Sequence, residues 1–263
     1  MNTRLNIVKI GGHVLDDDAA LEKFLHHFAL LDEPKILVHG GGKQASQLSR
    51  QLGIEPKLIN GRRITDASTL EVVTMVYGGL INKKVVTRLQ QFGCNALGLT
   101  GADGNLIRAT RRPPDEVDYG FAGDVTPKGI NTSLLYFLLR QNTVPVIAPL
   151  THENGTLLNT NADTLASVLA IALCMHFHIR LVYCFEKRGV LHNPNDDQSV
   201  IPVINTASYH QLLAEGVINN GMLPKLQTAF AAAQQGVPEV IITHAANFTA
   251  KHHAEIEGTR IMK

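Results

Sequence analysis

Two short apolar segments of the sequence each end in a run of glycines. Lys9-Ile-Gly-Gly12 closes residues 5–10, and His39-Gly-Gly-Gly42 closes residues 35–39. Glycine lets the backbone approach a ligand closely, and successive N–H groups at the start of a helix attract an anion. Lys9 would place an ammonium over the same edge, unless it is simply an exposed lysine of an edge strand. The two turns are therefore candidate phosphate sites, although glycines also suit ordinary tight turns between a strand and a helix.

Two other phosphate-binding motifs fit this sequence less well. The P-loop pattern GxxxxGK[ST] is absent, because Gly42-Lys43 is followed by Gln44. Residues 40–45 do satisfy GxGxx[GA], the pattern of a dinucleotide site. That site also expects an acid about 20 residues further on, at the end of the next strand. The candidates, Glu55 and Asp66, lie in loop-like sequence, so a dinucleotide site remains an alternative with little support.

The elements that must position these turns alternate along the chain. Apolar segments predict strands, and amphipathic segments between them predict helices. The predicted strands are 5–10, 35–39, 96–99, 144–149, 179–185 and 239–243, the last closing the series. The predicted helices are 16–31, 43–52, 68–92, 130–141, 164–175, 209–215 and 223–235, and residues 108–125 form a hairpin or an irregular excursion. This order predicts an α/β fold with a mainly parallel sheet, whose ligands bind at the carboxyl ends of the strands.

Composition and charge exclude several classes of protein. The 24 Lys and Arg residues nearly balance 23 Asp and Glu, so we expect no nucleic-acid partner. The longest apolar run, 165–175, is too short to span a membrane, and residues 1–10 do not resemble a signal peptide. Three cysteines without a CxxC pair indicate reduced thiols and a cytoplasmic protein. The twelve histidines lack a matching Cys or acid cluster, so we expect no metal site built by the protein.

A series of motifs along the whole chain resembles the amino acid kinase family. Within that family the motifs are similar to its acylglutamate branch. In order they are KIGG (9–12), HGGGKQ (39–44), NGRRITD (60–66), GGLINKKVV (78–86), ALGLTGADGNLI (96–107), GFAGDV (120–125), VPVIAPL (144–150), LLNTNAD (157–163), NNGMLPKL (219–226) and EGTRIM (257–262).

The resemblance implies an open αβα sandwich and an enzyme that uses ATP with Mg²⁺. Residues 1–175 would form a lobe for the acyl amino acid and for dimerisation, and residues 176–263 a lobe for ATP. The implied reaction is phosphorylation of the γ-carboxylate of an N-acylated glutamate, an early step of arginine biosynthesis. Arginine-inhibited relatives carry an added N-terminal helix that mediates hexamer formation, whereas eight residues precede Lys9 here. The resemblance therefore implies a homodimer that is insensitive to arginine.

The resemblance also implies roles for nine residues of this sequence. They are Lys9, Lys225 and Asp163 as catalytic residues, Gly41, Gly42, Arg63 and Asn159 at the substrate, and Gly11, Gly12 and Gly41 at the phosphate. A glutamate side chain with a pKa of about 4.3 is already ionised at neutral pH, so no general base is needed. The two lysines would neutralise charge, and Asp163 would hold them in place, although it could also cap the helix 164–175. Arg63 would bind the α-carboxylate, with Arg62 as its competitor.

The sequence leaves the acyl group and part of the nucleotide site open. A succinyl group differs from acetyl by a carboxymethyl group, which one cation among Arg108, Arg111, Arg112 and Lys128 could favour. Where the family commonly has Thr or Ser followed by Asp, this chain has Phe185-Glu186, and Asn219-Asn220 also departs from the family pattern. The alternatives are another carboxylate kinase of the same fold, or a regulatory member without catalysis.

Overall fold

The computed structural model describes residues 3–59, 61–218, 222–249 and 256–263. Within these residues the strands are β1 Arg4–Ile10, β2 Lys35–His39, β3 Leu58–Ile59, β4 Arg62–Arg63, β5 Ala96–Leu99, β6 Ile107–Arg111, β7 Gly123–Ile130, β8 Val144–Ile147, β9 Leu150–Glu153, β10 Thr156–Asn159, β11 His178–Phe185, β12 Val203–Ile204, β13 Glu239–His244 and β14 Thr259–Ile261. The predicted strands 35–39 and 96–99 are confirmed to the residue, and the other predicted strands within a few residues.

Eight of these strands form one central sheet in the order β12-β14-β13-β11-β1-β2-β8-β5. The pairs from β13 through β5 are parallel, and β14 runs antiparallel to β13. The central strands read as nearly continuous apolar segments because both of their faces are covered. The prediction of a mainly parallel α/β sandwich is confirmed. The prediction that 239–243 closes the series of strands is wrong, because β14 follows it.

The helices cover the two faces of this sheet. In the described residues they are α1 Gly12–Asp16, α2 Asp18–Ala29, α3 Gly42–Gln51, α4 Ala67–Val73, α5 Asn82–Gln91, α6 Thr132–Arg140, α7 Ala162–Leu173, α8 Thr206–Ala214 and α9 Leu223–Gln234. Residues of α6, α7 and α9 pack with Leu5 and Ile7 of β1, whereas residues of α2 and α5 pack with Val8 and Ile10. Side chains alternate between the faces of a strand, so Lys9 points to the face that α7 covers.

A smaller sheet in the order β10-β9-β6-β7 lies beside the main one. Strands β6 and β7 pair antiparallel, which confirms a hairpin within residues 108–125. The β9–β10 hairpin was not predicted; Asn154 and Gly155, both with positive φ, form its turn. Polar residues interrupt β9 and β10, so neither forms the short apolar run by which the equally short β5 was recognised.

The predicted helix 68–92 is continuous but not uniform. Between α4 and α5 the backbone forms a π-helical segment, Thr74–Ile81, which contains Gly78-Gly79. A π-helical segment advances the chain by a wider turn, so it changes which residues face the sheet. Here it turns Tyr77 and Ile81 towards the second glycine turn. In the part of the chain that the structure describes, no helix is long and apolar enough to cross a membrane.

Candidate active site

The two glycine turns lie side by side at the carboxyl edge of the main sheet. Strands β1 and β2 are adjacent and parallel, with Ile10 opposite His39. The backbone N–H of Gly40 donates to the carbonyl of Ile10 over 3.0 Å, which ties one turn to the other. Gly11 precedes α1 and Gly41 precedes α3 as their N-caps. Both turns therefore direct the unpaired N–H groups of a helix start to the same edge.

Gly41 has a backbone conformation that suits glycine and not a residue with a side chain. Its φ is +154°, outside the region that L side chains readily adopt. A Cβ atom there would collide with Cδ1 of Ile81 and lie 2.8 Å from Cδ1 of Tyr77. The π-helical segment thus packs directly on the turn, and the absence of a side chain at Gly41 makes this contact possible.

His39 supports the same turn from inside the sheet. The side chain is fully buried, with Nδ1 2.8 Å from the carbonyl oxygen of Gly40 and Nε2 3.2 Å from Nδ2 of Asn82. Burial lowers the pKa of His39 to about 4, so the ring is neutral at pH 7. With Asn82 donating to Nε2, Nδ1–H donates to Gly40, which assigns the tautomer. These two contacts allow His39 to shape the turn.

Lys9 forms an almost buried ion pair with Asp163. Its Nζ lies 2.6 Å from Oδ1 of Asp163, and the two side chains are 8% and 14% exposed. Asp163 occupies the first turn of α7, where the cap is Asn161: its side chain accepts from the backbone N–H groups of residues 163 and 164. The expectation that Asp163 could itself cap this helix is wrong. Because Asn161 takes that role, the carboxylate of Asp163 is available to Lys9.

Lys225, near the start of α9, approaches the same place from the other part of the chain. Its Nζ lies 4.1 Å from the ring centroid of Phe185, and Nζ of Lys9 lies 5.2 Å from the same centroid. Burial lowers the pKa of Lys225, and the charge of Lys9 lowers it further, whereas Asp163 and Glu186 raise it. The structure thus brings together the two lysines and the aspartate that the resemblance singled out. Asn219-Asn220 lies outside the described residues.

Three of the sequence motifs meet beside these groups. The backbone N–H of Phe121 donates to Thr65 O over 2.7 Å, and that of Asn159 donates to Phe121 O over 2.8 Å. The side chain of Asn159 donates from Nδ2 to Oγ1 of Thr65 over 2.9 Å. Among the described residues no hydrogen bond to its Oδ1 is formed, so this oxygen can accept one from a ligand. These links join NGRRITD, GFAGDV and LLNTNAD into one wall.

Arg63 is a buried cation on this wall. It is 8% exposed, and its Nη2 donates to the carbonyl of Gly42 over 2.7 Å and to Oγ of Ser46 over 2.8 Å. Its Nη1 is buried without a hydrogen-bond partner among the described residues. The neighbouring Arg62 is exposed. Both arginines line the same cavity, but Arg63 is the one that is buried and anchored by hydrogen bonds.

A cavity of about 240 Å³ joins these features. Its lining includes eight of the nine residues that the resemblance named: Lys9, Gly11, Gly12, Gly41, Gly42, Arg63, Asn159 and Asp163. The ninth, Lys225, does not line it but stands beside Lys9 at the ring of Phe185. Within the described part of the lining, Asp163 carries the only carboxylate. The cavity is thus a cationic, glycine-lined site that suits anions.

The four cations considered for a succinyl group fall at different places. Arg112 lines the cavity, its guanidinium 5.3 Å from the ring centroid of Tyr119, and forms a two-pronged ion pair with Asp124. Arg108 and Lys128 line a separate cavity on the smaller sheet. Arg111 lies over the ring of Phe121 and donates to the carbonyl of Gly120. Only the position of Arg112 is compatible with contact to a ligand in the main cavity.

Sequence reasoning overlooked two aromatic residues of this site. Tyr77 lines the cavity, but it belongs to a predicted helix and no local motif marks it. Phe185 was recognised as a departure from the family pattern without a role. An aromatic residue at the carboxyl end of a central strand is the signal that could have identified Phe185, because ligands bind there. No group of three or more His, Cys, Asp or Glu residues in the described ranges is arranged to hold a metal.

Replacing Gly41 by alanine should destabilise the fold. The new Cβ would combine a disfavoured φ with collisions against Ile81 and Tyr77, for an expected loss of about 2–4 kcal/mol in the free energy of unfolding. Gly40→Ala is the matched control, because its Cβ would meet nothing closer than 3.7 Å. Urea denaturation measures both. Equal stabilities of the two variants would show that the turn tolerates a side chain at Gly41.

Stability should fall in acid partly through His39. Its pKa in the folded state, about 4, lies below the value of about 6.5 in an unfolded chain, so the folded state binds fewer protons. The neutral His39 contributes fully to the free energy of unfolding above about pH 6.5. About 2 kcal/mol of that contribution is lost as the pH falls from 7 to 5. The free-energy difference between wild type and His39→Asn should shrink by that amount across this range. Parallel pH dependences of the two proteins in urea denaturation would refute a neutral, buried His39.

Comparison with known proteins agrees with this geometry. The sequence profile of the amino acid kinase family matches residues 4–244. The acetylglutamate kinase of Bacteroides thetaiotaomicron is 53% identical over 100% of this chain and 100% of its own length, and that of Cytophaga hutchinsonii is 55% identical over 92% of each. The crystal structure of smu.665 from Streptococcus mutans UA159 superposes with a TM-score of 0.78 at 27% identity, covering 98% of both chains. The chain therefore belongs to the amino acid kinase family.

Proposed function

We propose that this protein transfers the γ-phosphoryl group of ATP to the side-chain carboxylate of an N-acylated glutamate, N-acetyl-L-glutamate or its succinyl counterpart, in arginine biosynthesis. The observation that carries the proposal is the meeting of Lys9, Asp163 and Lys225 beside two glycine turns. Its substrate assignment is supported by the full-length similarity to acetylglutamate kinases.

The reaction needs charge stabilisation more than proton transfer. The acceptor carboxylate is ionised at neutral pH, so the difficulty is to bring one anion onto a polyanion. Lys9 and Lys225 supply two positive charges, and the N–H groups of Gly11, Gly12 and Gly41 supply fixed dipoles. Asp163 holds the ammonium of Lys9 by the 2.6 Å contact, so it acts by positioning and takes no proton from the substrate.

The acyl amino acid would bind on the side of Arg63 and Asn159. The free Nη1 of Arg63 can donate to the α-carboxylate, and Oδ1 of Asn159 can accept from the acyl amide N–H. The carbonyl of Gly42 fixes the guanidinium of Arg63 from behind. The backbone N–H groups of Gly41 and Gly42 would help align the reacting carboxylate.

Mg²⁺ would enter with ATP. The residues fit a metal that is held chiefly by phosphate oxygens and water, because the one carboxylate in the described cavity lining, Asp163, is already engaged by Lys9. Bound in this way, Mg²⁺ neutralises charge on the transferring phosphate.

The positions of the site residues along the chain support separate binding roles for two lobes. We propose that residues 1–175 bind the acyl amino acid and form the contact of a homodimer, and that residues 176–263 bind ATP. Arg63, Asn159 and the glycine turns belong to the first part, and Phe185 and Lys225 to the second. The homodimer and a cytoplasmic location rest on the resemblance to the family and on the sequence composition.

Removing either lysine should slow the reaction. Loss of one preorganised charge at the phosphoryl group typically costs about 10²–10³ in rate, so Lys9→Ala and Lys225→Ala should each lose that much in kcat. Acyl phosphate trapped with hydroxylamine measures the product, using acetylglutamate, succinylglutamate, glutamate and aspartate in parallel. Lys23→Ala, an exposed lysine on α2, is the control and should keep its activity. Activity with free glutamate alone, or full turnover of Lys225→Ala, would refute the proposal.

Arg112 should decide how well a succinyl group is accepted. A carboxylate at the end of the acyl group would meet its guanidinium, and a charge-assisted hydrogen bond contributes about 1.5–3 kcal/mol. Arg112→Met should therefore lower kcat/KM for succinylglutamate about 10- to 100-fold and change it much less for acetylglutamate. Arg108→Met is the matched control on the separate cavity. Equal losses for both substrates would remove Arg112 from the acyl pocket.

A further inference from the structure

One aromatic ring lies against both lysines of the site. Nζ of Lys225 is 4.1 Å and Nζ of Lys9 is 5.2 Å from the ring centroid of Phe185, and both distances are within the range of a cation–π contact. The ring is 8% exposed, so these contacts are formed away from water. Desolvation strengthens such contacts, because the face of the ring carries a partial negative charge that water no longer screens.

The ring of Phe185 contacts Lys225, whose ammonium group forms no salt bridge with Asp163. Two ammonium groups share this region, and the carboxylate of Asp163 forms its short contact with Lys9. Among the described residues, no carboxylate oxygen lies within 4.0 Å of Nζ of Lys225. Burial and the charge of Lys9 both oppose the protonated form of Lys225. Asp163 and Glu186 favour its charge without a salt bridge to it, and the ring of Phe185 adds a contact at 4.1 Å.

The ring is also firmly held. It stacks on the ring of Tyr183 with centroids 6.0 Å apart and planes inclined by 7°. The hydroxyl of Tyr183 donates to the backbone carbonyl of Asp163 over 3.2 Å. Tyr183 lies opposite Lys9 in the pairing of β11 with β1. The aromatic pair thus connects the strand of Lys9 to the helix start that carries Asp163.

We propose that Phe185 is a positioning residue that holds the ammonium groups of Lys9 and Lys225 over its ring, ready for the phosphates of the nucleotide. The inference rests on the proposed phosphoryl transfer, since it assigns a purpose to the lysines of that reaction. It assigns a role to the residue at which this chain departs from the Thr or Ser common in the family. Phe185 itself touches no reacting atom, and its effect passes through the lysines.

Two substitutions of Phe185 distinguish the effect of its aromatic face from the effect of its apolar bulk. Phe185→Leu keeps an apolar side chain without a π face, and kcat should fall about 5- to 30-fold, the range expected for a desolvated cation–π contact. The alkaline limb of its pH–rate profile should move to lower pH, because Lys225 loses its proton more easily. Phe185→Tyr keeps the ring and should stay within about threefold of wild type.

A matched control measures the effect of truncating a core phenylalanine by itself. Phe177→Leu makes the same truncation in the same apolar cluster, away from the lysines. It should lose stability in urea denaturation like Phe185→Leu, but should keep kcat and the pH–rate profile. Equal losses of kcat in Phe177→Leu and Phe185→Leu, or a Phe185→Tyr enzyme as slow as Phe185→Leu, would overturn the inference.

A second readout does not depend on catalysis. The protonation of Lys225 can be followed by NMR of protein labelled with ¹³C at lysine Cε, with the signal assigned from Lys225→Arg. We expect its pKa to be lower in Phe185→Leu than in wild type and unchanged in Phe177→Leu. An identical titration in wild type and Phe185→Leu would overturn the inference. A shifted titration in a protein without kinase activity would instead refute the proposed function and leave the ring contact standing.

Discussion

The ion pair of Lys9 and Asp163 is the contact around which the site is arranged. Two nearly buried charges need each other, because removing one partner of a buried pair typically costs about 3–5 kcal/mol. Lys9 lies near the end of a central strand and Asp163 in the first turn of a helix, so the pair joins the sheet to the layer that covers it. Asn161 caps that helix and leaves the carboxylate to the lysine. The glycine turns, the ring of Phe185 and the second lysine are all placed relative to this pair.

The site concentrates positive charge and removes side chains where anions must come close. Four cationic side chains, those of Lys9, Arg62, Arg63 and Arg112, line one cavity with a single carboxylate among its described residues. Asp163 pairs with Lys9 and Asp124 with Arg112, whereas Arg63 contacts the neutral oxygens of Gly42 and Ser46, so an anion in the cavity would compensate its charge. Protein contacts hold two of the arginines in advance: Gly42 and Ser46 hold Arg63, and Asp124 holds Arg112. Little reorganisation then remains for the reaction.

Prediction from sequence succeeded where the signal is local and failed where pairing is distant. The buried strands β2 and β5 were located to the residue, because short apolar runs bounded by turn residues identify them. The strands β9, β10, β12 and β14 were missed. Polar residues interrupt β9 and β10, and β12 and β14 have two or three residues each and pair with distant strands. The π-helical segment was also missed. It is stabilised by packing of Tyr77 and Ile81 on Gly41, which no local pattern reveals.

The amino-acid sequence alone determined the α/β class, the two glycine turns and the position of Lys9 next to the first of them. These features depend on neighbours in the chain, where glycine, apolar runs and a single lysine act over a few residues. Only the tertiary structure decided that Arg63 and not Arg62 is held in the wall, that Arg112 faces the cavity, and that Phe185 lies beneath two lysines. Those outcomes depend on distances between side chains that are far apart along the chain, and packing alone sets such distances.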